Sequence, residues 1–432
     1  MLDIRFIRDN ADAVQTNARN KGYDVDINKL LNLDSERRKL LSQTDDLRAK
    51  RNVGLSQVKG ARPTEEMVAE GRAIKEQLAD IESRFKDIDV EFTTLLKKVP
   101  NMAASDVPIG ASENENVVIR TIGMLPKFDF KPSNHADIAS QRGWIDKDRA
   151  SKVAGSRFAY IKGDLVKLQM AIVQFVIYTL SDEAKISEIA KNANLEVSNR
   201  AFVPVLPPLM IRTDMYDAMD RLEPREDRYK LEGDDLWLQG SAEHVLGSMH
   251  AGEIFDESQL PLRYLGYATS FRREAGTYGK DMEGIMRMHQ FDKLEIESFT
   301  TADDGPNEHL LFVAVQEYLL TQLGLPYQVL KKCTADIGKP NASGVDMETW
   351  LPGQGKYRET HTADYMTDYQ ARRLNTRVRR SSGDLELVHT NDATAFALGR
   401  IMIAIIENNQ TSDGKVLVPT VLQPYLAGQT IL

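Results

Sequence analysis

The amino-acid sequence predicts an α+β protein that carries an antiparallel two-helix arm near its N-terminus. Apolar residues recur every seven positions in two runs, Leu33, Leu40 and Leu47, then Met67, Ile74, Ile81, Ile88 and Leu95. Leu78, Phe85 and Phe92 fill a second position offset by four, and alternating steps of four and three make a coiled-coil seam. From Phe128 to Leu432 helical patterns alternate irregularly with short β-branched segments, which points to a mostly antiparallel sheet with flanking helices. At 432 residues, with 42% hydrophobic and 28% charged, the chain has material for two or three cores of ordinary size.

The arm comes first. Gly54 and Gly60-Ala61-Arg62-Pro63 separate the two heptad runs and break the helix between them. Thr64 is placed to cap the second helix, Glu65 and Glu66 complement its positive end, and Pro100 stops it. The hairpin is expected over about 28–99, with a second helix of about 36 residues, near 54 Å at 1.5 Å per residue. A dimerisation coiled coil and a projecting grip on a long partner both fit this pattern. Arg37, Arg38, Lys39, Arg48, Lys50 and Arg51 place positive charge on the first helix, suited to a phosphate backbone and equally to a solvated face. Residues 101–125 read as a connector, with Pro108, Gly110 and a polar run from Ser112 to Asn116. The expected domains are therefore 1–110 and 111–432.

Composition excludes several classes. One cysteine, Cys333, rules out a disulfide framework or thiolate-rich metal cluster and fits a reducing cytosol. His135, His244, His250, His309 and His389 have no metal-ligand spacing with it, so no zinc is expected. The start Met1-Leu2-Asp3-Ile4-Arg5 has no signal-peptide core, and the apolar stretch Met170–Leu180 falls short of the ~20 residues that span a bilayer. A net charge of -9 argues against a general nucleic-acid binder but leaves room for a local basic stripe. A cytoplasmic protein without a membrane partner is expected.

The densest chemistry lies between Tyr267 and Glu295. Tyr267–Glu274 reads as a strand, 275–281 as a glycine-bearing loop, and Arg287–Glu295 as a returning strand. Arginine on one arm and an aromatic on the other suit ATP, because a guanidinium grips phosphate bidentately and Phe291 can stack on a purine. An ordinary charged hairpin would instead pair Arg272 with Glu274. Near the C-terminus, Ala397-Leu398-Gly399-Arg400 leads into the apolar helix Ile401–Glu407, with an arginine at the junction.

Together these stretches resemble the second and third signature motifs of class II aminoacyl-tRNA synthetases, and in detail those of the seryl-tRNA synthetase family. Phe271-Arg272-Arg273-Glu274-Ala275-Gly276 through His289-Gln290-Phe291-Asp292-Lys293-Leu294-Glu295 is similar to its motif two. Asp368-Tyr369-Gln370-Ala371-Arg372-Arg373 resembles its D-F-Q-A-R-R stretch, Gly399-Arg400 through Asn408 its motif three, and Pro207-Pro208 its motif one. The resemblance covers nearly the whole chain.

It implies a class II antiparallel sheet, a tRNA-binding hairpin and a homodimer through motif one. It also implies ATP and Mg²⁺ as ligands, L-serine as substrate, and tRNA(Ser) as partner, with tRNA(Sec) as a second candidate. Arg272 and Arg400 are the implied catalytic pair, on the α- and γ-phosphates. Glu274 and the Met288 backbone would read adenine, Phe291 would stack on it, and Arg273 and Arg287 would complete the motif-two phosphate contacts. Glu359-Thr360-His361-Thr362 would contribute to the ATP site, with Glu359 and Thr362 as Mg²⁺ ligands, since that ion takes hard oxygen donors. Serine would meet Ser241-Ala242-Glu243, where the family has T-x-E, together with Arg272, Glu295 and Thr394. Arg37, Arg38, Arg48, Lys50 and Arg51 would face tRNA.

Two departures stand out. The family's N-G-S-G reads Asp392-Ala393-Thr394-Ala395 here, so a charge replaces an amide and threonine replaces serine, while Ser241 replaces threonine. The two hydroxyl residues have exchanged places, which would conserve pocket volume. The segment 182–200 is longer than expected and reads as a surface elaboration. Two rivals compete with the tRNA ligase: a paralogue that loads a carrier protein, which would lack the arm, and an inactive scaffold, which would have lost Arg272, Glu274, Phe291, Glu359 and Arg400.

Overall fold

The computed structural model describes residues 1–57, 64–275 and 284–432. The break expected at 60–63 and most of the 275–281 loop lie outside them. The chain divides into two compact units, Met1–Met102 and Ala103–Leu432, and the division falls in the connector.

In the first unit, α1 (Ile4–Asp9) and α2 (Ala11–Asn20) precede the long helices α3 (Ile27–Gln57) and α4 (Glu65–Lys98). The heptad residues explain the pairing of α3 with α4. Leu33, Leu40, Ile74, Leu78 and Phe92 are buried along the seam, and opposite charges flank it in Lys29–Glu91, Arg37–Asp89 and Arg48–Glu82. Thr64 Oγ1 accepts from the Met67 N–H at 3.3 Å as the N-cap, and α4, 34 residues long, runs for about 51 Å.

The second unit is built on an eight-stranded sheet. Its elements are β1 (Val117–Ile122), α5 (Asp164–Leu180), α6 (Glu183–Asn192), β2 (Val203–Val205), β3 (Leu262–Phe271) and β4 (Gln290–Thr300). There follow α7 (Gly305–Gln322), β5 (Tyr327–Lys331), β6 (Ser343–Leu351), β7 (Lys356–Thr367), α8 (Tyr369–Leu374), β8 (His389–Ala397) and α9 (Leu398–Asn408). The strand order is β1-β5-β6-β7-β8-β4-β3-β2, antiparallel except where β2 runs parallel to β3. The expected mostly antiparallel sheet with flanking helices is therefore present.

Strand alternation sorts the two faces. Leu294, Ile296, Val345, Met347, Ala363, Ala393 and Phe396 point into the core with Leu311, Phe312, Ile401 and Ile405 of the helices, each large side chain contributing roughly 1.5–3 kcal/mol of burial. The opposite face carries the charges. One expectation fails here. The 182–200 segment is no surface elaboration, because α6 sends Ile186, Ile189 and Ala190 into that same core. No single helix among the described residues is long and apolar enough to cross a membrane.

Candidate active site

The polar face of the sheet opens into a cleft of about 650 Å³ whose lining includes Arg221, Arg272, Glu359, Thr362, Asp392 and Arg400. A recess of about 110 Å³ reuses both Arg272 and Arg400 and adds Glu274, Met288, Phe291 and Thr394. Two arginines far apart in sequence thus converge. Arg272 lies just past the end of β3, where its N–H bonds the His289 carbonyl at 2.9 Å. Its Nε donates to the Gly240 carbonyl at 3.0 Å, and its guanidinium lies 5.5 Å from the Phe291 ring centre. Arg400 sits in the first turn of α9, and its Nη1 donates to the backbone and side-chain oxygens of Glu359, each at 2.9 Å.

Glu274 pairs with Arg287 at 3.0 Å, so the Arg272–Glu274 pair of an ordinary hairpin is not formed. Its backbone sits in the left-handed region, φ 51, a conformation that costs a non-glycine residue roughly 1–2 kcal/mol and is often found where a side chain must be aimed.

A β-bulge decides the next contact. Glu359 and Thr362 are three apart and would point to opposite faces of a regular strand. The register between β6 and β7 slips, so that Glu359 opposes Glu348 while Thr362 opposes Asp346. Both side chains then face the cleft. Desolvation pushes the Glu359 carboxyl upward, but Arg400 and Lys332 hold it below its ordinary value. Asp346 is raised to about 7 by burial, with the charge of Lys332 opposing.

The opposite end of the cleft is acidic. The short helix Glu243–Leu246 rests on the sheet through Ala242, Leu246 and Ala268. Gly266 permits this approach, since a Cβ there would stand 2.8 Å from Leu246 Cδ1. The helix places Glu243 beside Glu295, which lies on β4 directly opposite Gly266. Ser241 Oγ donates to Glu243 Oε2 at 2.7 Å, lies 3.2 Å from Glu295 Oε2, and accepts from Lys293 Nζ at 3.1 Å. Lys293 also contacts the Glu295 carboxylate.

Burial raises Glu295 to about 7, against the pull of Lys293. Burial also pushes Glu243 up, yet Lys293, His244 and Arg221 hold it well below the ordinary range. Glu243, Glu295 and Asp392 stand close enough to share one cation. Lys293 and Arg221 already bring positive charge to them, and the arrangement suits an ammonium group better than a metal ion.

Several expected residues stand elsewhere. His361 faces the core, 5.3 Å from the Phe396 ring, and burial lowers its pKa to about 3. The bulge puts it on the face opposite Glu359 and Thr362. Thr360 borders the recess, but its hydroxyl is held by Thr349 and His361, each at 2.8 Å. Arg273 packs on Tyr229, its guanidinium 5.8 Å from the ring, and lines neither cavity. Ala242 is buried in the apolar seat of its helix.

On the arm, Arg37 is half-buried. It pairs with Asp89 and lies 5.5 and 5.2 Å from the Phe85 and Phe92 rings, as part of the seam. Arg38 pairs with Asp34 at 3.1 Å and Arg48 with Glu82 at 3.0 Å, and both are exposed, as are Lys39, Lys50 and Arg51.

Sequence reasoning missed Lys293, Arg221, Lys332 and Asp346 as parts of the cleft. Lys293 had a signal, lying two residues from Glu295 and so on the same strand face. Arg221 had none, since it lies outside the helices and strands, between Ala218 and Arg225.

An antiparallel sheet presenting convergent arginines from a hairpin end and a helix start defines a class II aminoacyl-tRNA synthetase core. In agreement, residues 227–409 match the tRNA synthetase class II core domain (G, H, P, S and T), and residues 1–103 match the seryl-tRNA synthetase N-terminal domain. The serine–tRNA ligases of Symbiobacterium thermophilum and Thermodesulfovibrio yellowstonii are each 38% identical to the chain, over 98% and 99% of both sequences respectively. The crystal structure of seryl-tRNA synthetase from Pyrococcus horikoshii complexed with ATP superposes with a TM-score of 0.89 at 35% identity, covering 100% of this chain and 99% of that one. The chain belongs to the seryl-tRNA synthetase family.

Proposed function

We propose that the arginine end of this cleft holds ATP and the acidic end holds serine, in the serine–tRNA ligase reaction that family membership assigns to the chain. The observation that carries this reading is the convergence of Arg272, Arg400 and Glu359 beside the carboxylates Glu243 and Glu295. Arg272 and Arg400 hold triphosphate oxygens, Arg287 assists, and Glu274, Met288 and Phe291 form the purine recess. Glu243 takes the substrate ammonium, and Glu295 the hydroxyl or amine. The serine carboxylate attacks the α-phosphorus, the bond to the bridging oxygen breaks, and pyrophosphate leaves. The terminal adenosine hydroxyl of tRNA then attacks the carbonyl and AMP departs. The first nucleophile is already ionised, so positioning and charge neutralisation suffice without a protein base.

The donor set fits Mg²⁺, because the bulge turns one carboxylate and one hydroxyl oxygen toward the phosphate end. Glu359 and Thr362 would hold the ion, which neutralises phosphate charge when bound. Glu359→Gln should raise the Mg²⁺ concentration for half-maximal ATP–pyrophosphate exchange by about tenfold. An unchanged requirement would remove Glu359 from the metal site.

Thr394 is paired in register with Glu295, and Ser241 bonds the same carboxylate, so the exchanged hydroxyl residues flank one group. Thr394→Ser should therefore enlarge the pocket by a methyl and raise the threonine-to-serine kcat/KM ratio by about tenfold. An unchanged ratio would count against compensation between the two sites.

Exposed Lys50 and Arg51 are the best candidates for tRNA phosphates, with Arg38 and Arg48 able to exchange carboxylate for phosphate. Selenocysteine tRNA is a second RNA substrate to try in charging assays. Exposed Val203, Leu206, Leu209 and Met210 support a homodimer through the motif-one region, which light scattering would reject by returning the mass of one chain. ATP–pyrophosphate exchange with each amino acid tests the main reading. Serine-dependent exchange followed by tRNA charging is expected. Exchange without charging favours a carrier-protein ligase, and no exchange favours a scaffold.

A further inference from the structure

Asp392 places a carboxyl group where the family pattern has an amide, and burial beside Glu243 pushes its pKa well above the ordinary value while Arg221 pulls the other way. It is buried in a row of acids across three strands, opposite Asp364 on β7 and Glu297 on β4. Like charges in direct register repel, and a buried carboxylate needs a partner. Arg221 provides one, its Nη2 3.0 Å from Asp392 Oδ2 and 3.4 Å from Asn341 Oδ1. The Nε of the same guanidinium looks toward Glu243. Arg221 Nε lies 3.7 Å from Glu243 Oε1 and makes no hydrogen bond. Arg221 therefore stands between two carboxylates, hydrogen-bonded to one and in ionic contact with the other.

We propose that Asp392 is a positioning residue for serine recognition, its hydrogen bond with Arg221 Nη2 holding the guanidinium off Glu243 so that Glu243 is left for the substrate ammonium. This rests on the assignment of Glu243 to the ammonium. Freed from Asp392, Arg221 would compete with serine for Glu243, the carboxylate 3.7 Å from its unbonded Nε. Replacing both partners, Arg221→Gln with Asp392→Asn, removes the competitor and leaves two amides able to bond each other.

The test measures serine KM and ATP KM by pyrophosphate exchange for the full chain, alongside melting temperature. Asp392→Asn should raise serine KM at least tenfold while ATP KM stays within about threefold. The double variant should bring serine KM back to within about threefold of the parent. The readout is the recovery, because Arg221→Gln alone also strips the partner from a buried carboxylate. No recovery in the double variant would show a structural wedge and overturn the proposal. Should Asp392→Asn fail to fold, a tenfold rise in serine KM for the double variant still overturns it. A parent without serine-dependent exchange would sink the functional reading itself.

Discussion

Arg272→Ala should lower serine-dependent ATP–pyrophosphate exchange by about 10³-fold, and Arg400→Ala by a similar factor, close to 4 kcal/mol of transition-state stabilisation each. Phosphate charge redistributes as the α-phosphorus is attacked, and these guanidiniums face the same recess. Arg400→Lys should recover only part of the loss, because an ammonium lacks the planar fork. The adjacent Arg273 supplies the contrast. It packs on Tyr229 outside both cavities, so Arg273→Ala should leave exchange nearly unchanged. Equal losses for all three would mean that general charge, not the converged pair, drives activation.

Shortening the arm should separate the two half-reactions. Replacing residues 42–83 by a short turn keeps the base of the hairpin, including the Arg37–Asp89 pair. The second unit, Ala103–Leu432, has its own core. Exchange should stay within about threefold of the full chain, while tRNA charging falls by at least about 10³-fold, as expected when a set of phosphate contacts is removed. Parallel loss of both activities would show that the hairpin serves folding instead. A preserved charging rate would remove the arm from RNA recognition.

Local patterns made much of this legible in advance. The heptads from Leu33 to Leu95 predicted α3 and α4 because a seam needs only spacing. The Thr64 cap was readable because capping is settled within four residues. The motif resemblance identified Arg272 and Arg400 as a pair. Long-range packing supplied what local pattern lacked. Arg37 looked like any solvated arginine until the opposite helix brought Asp89 and two phenylalanines to it. His361 lies between two cleft residues in sequence, yet the bulge turns Glu359 and Thr362 to one side and His361 to the other. The 182–200 segment read as a surface elaboration because three buried side chains on one helix face are invisible without the core they enter.

By itself the sequence determined the arm, the α+β class and the residue types of the chemistry, since period, capping and motif spacing are properties of contiguous chain. Tertiary structure alone decided which charges neutralise one another. The Arg221–Asp392 pair and the Lys293 bridge to Glu295 join residues separated in sequence or selected by strand face. The strength of a buried charge depends on what surrounds it in space, and only the folded sheet sets those distances.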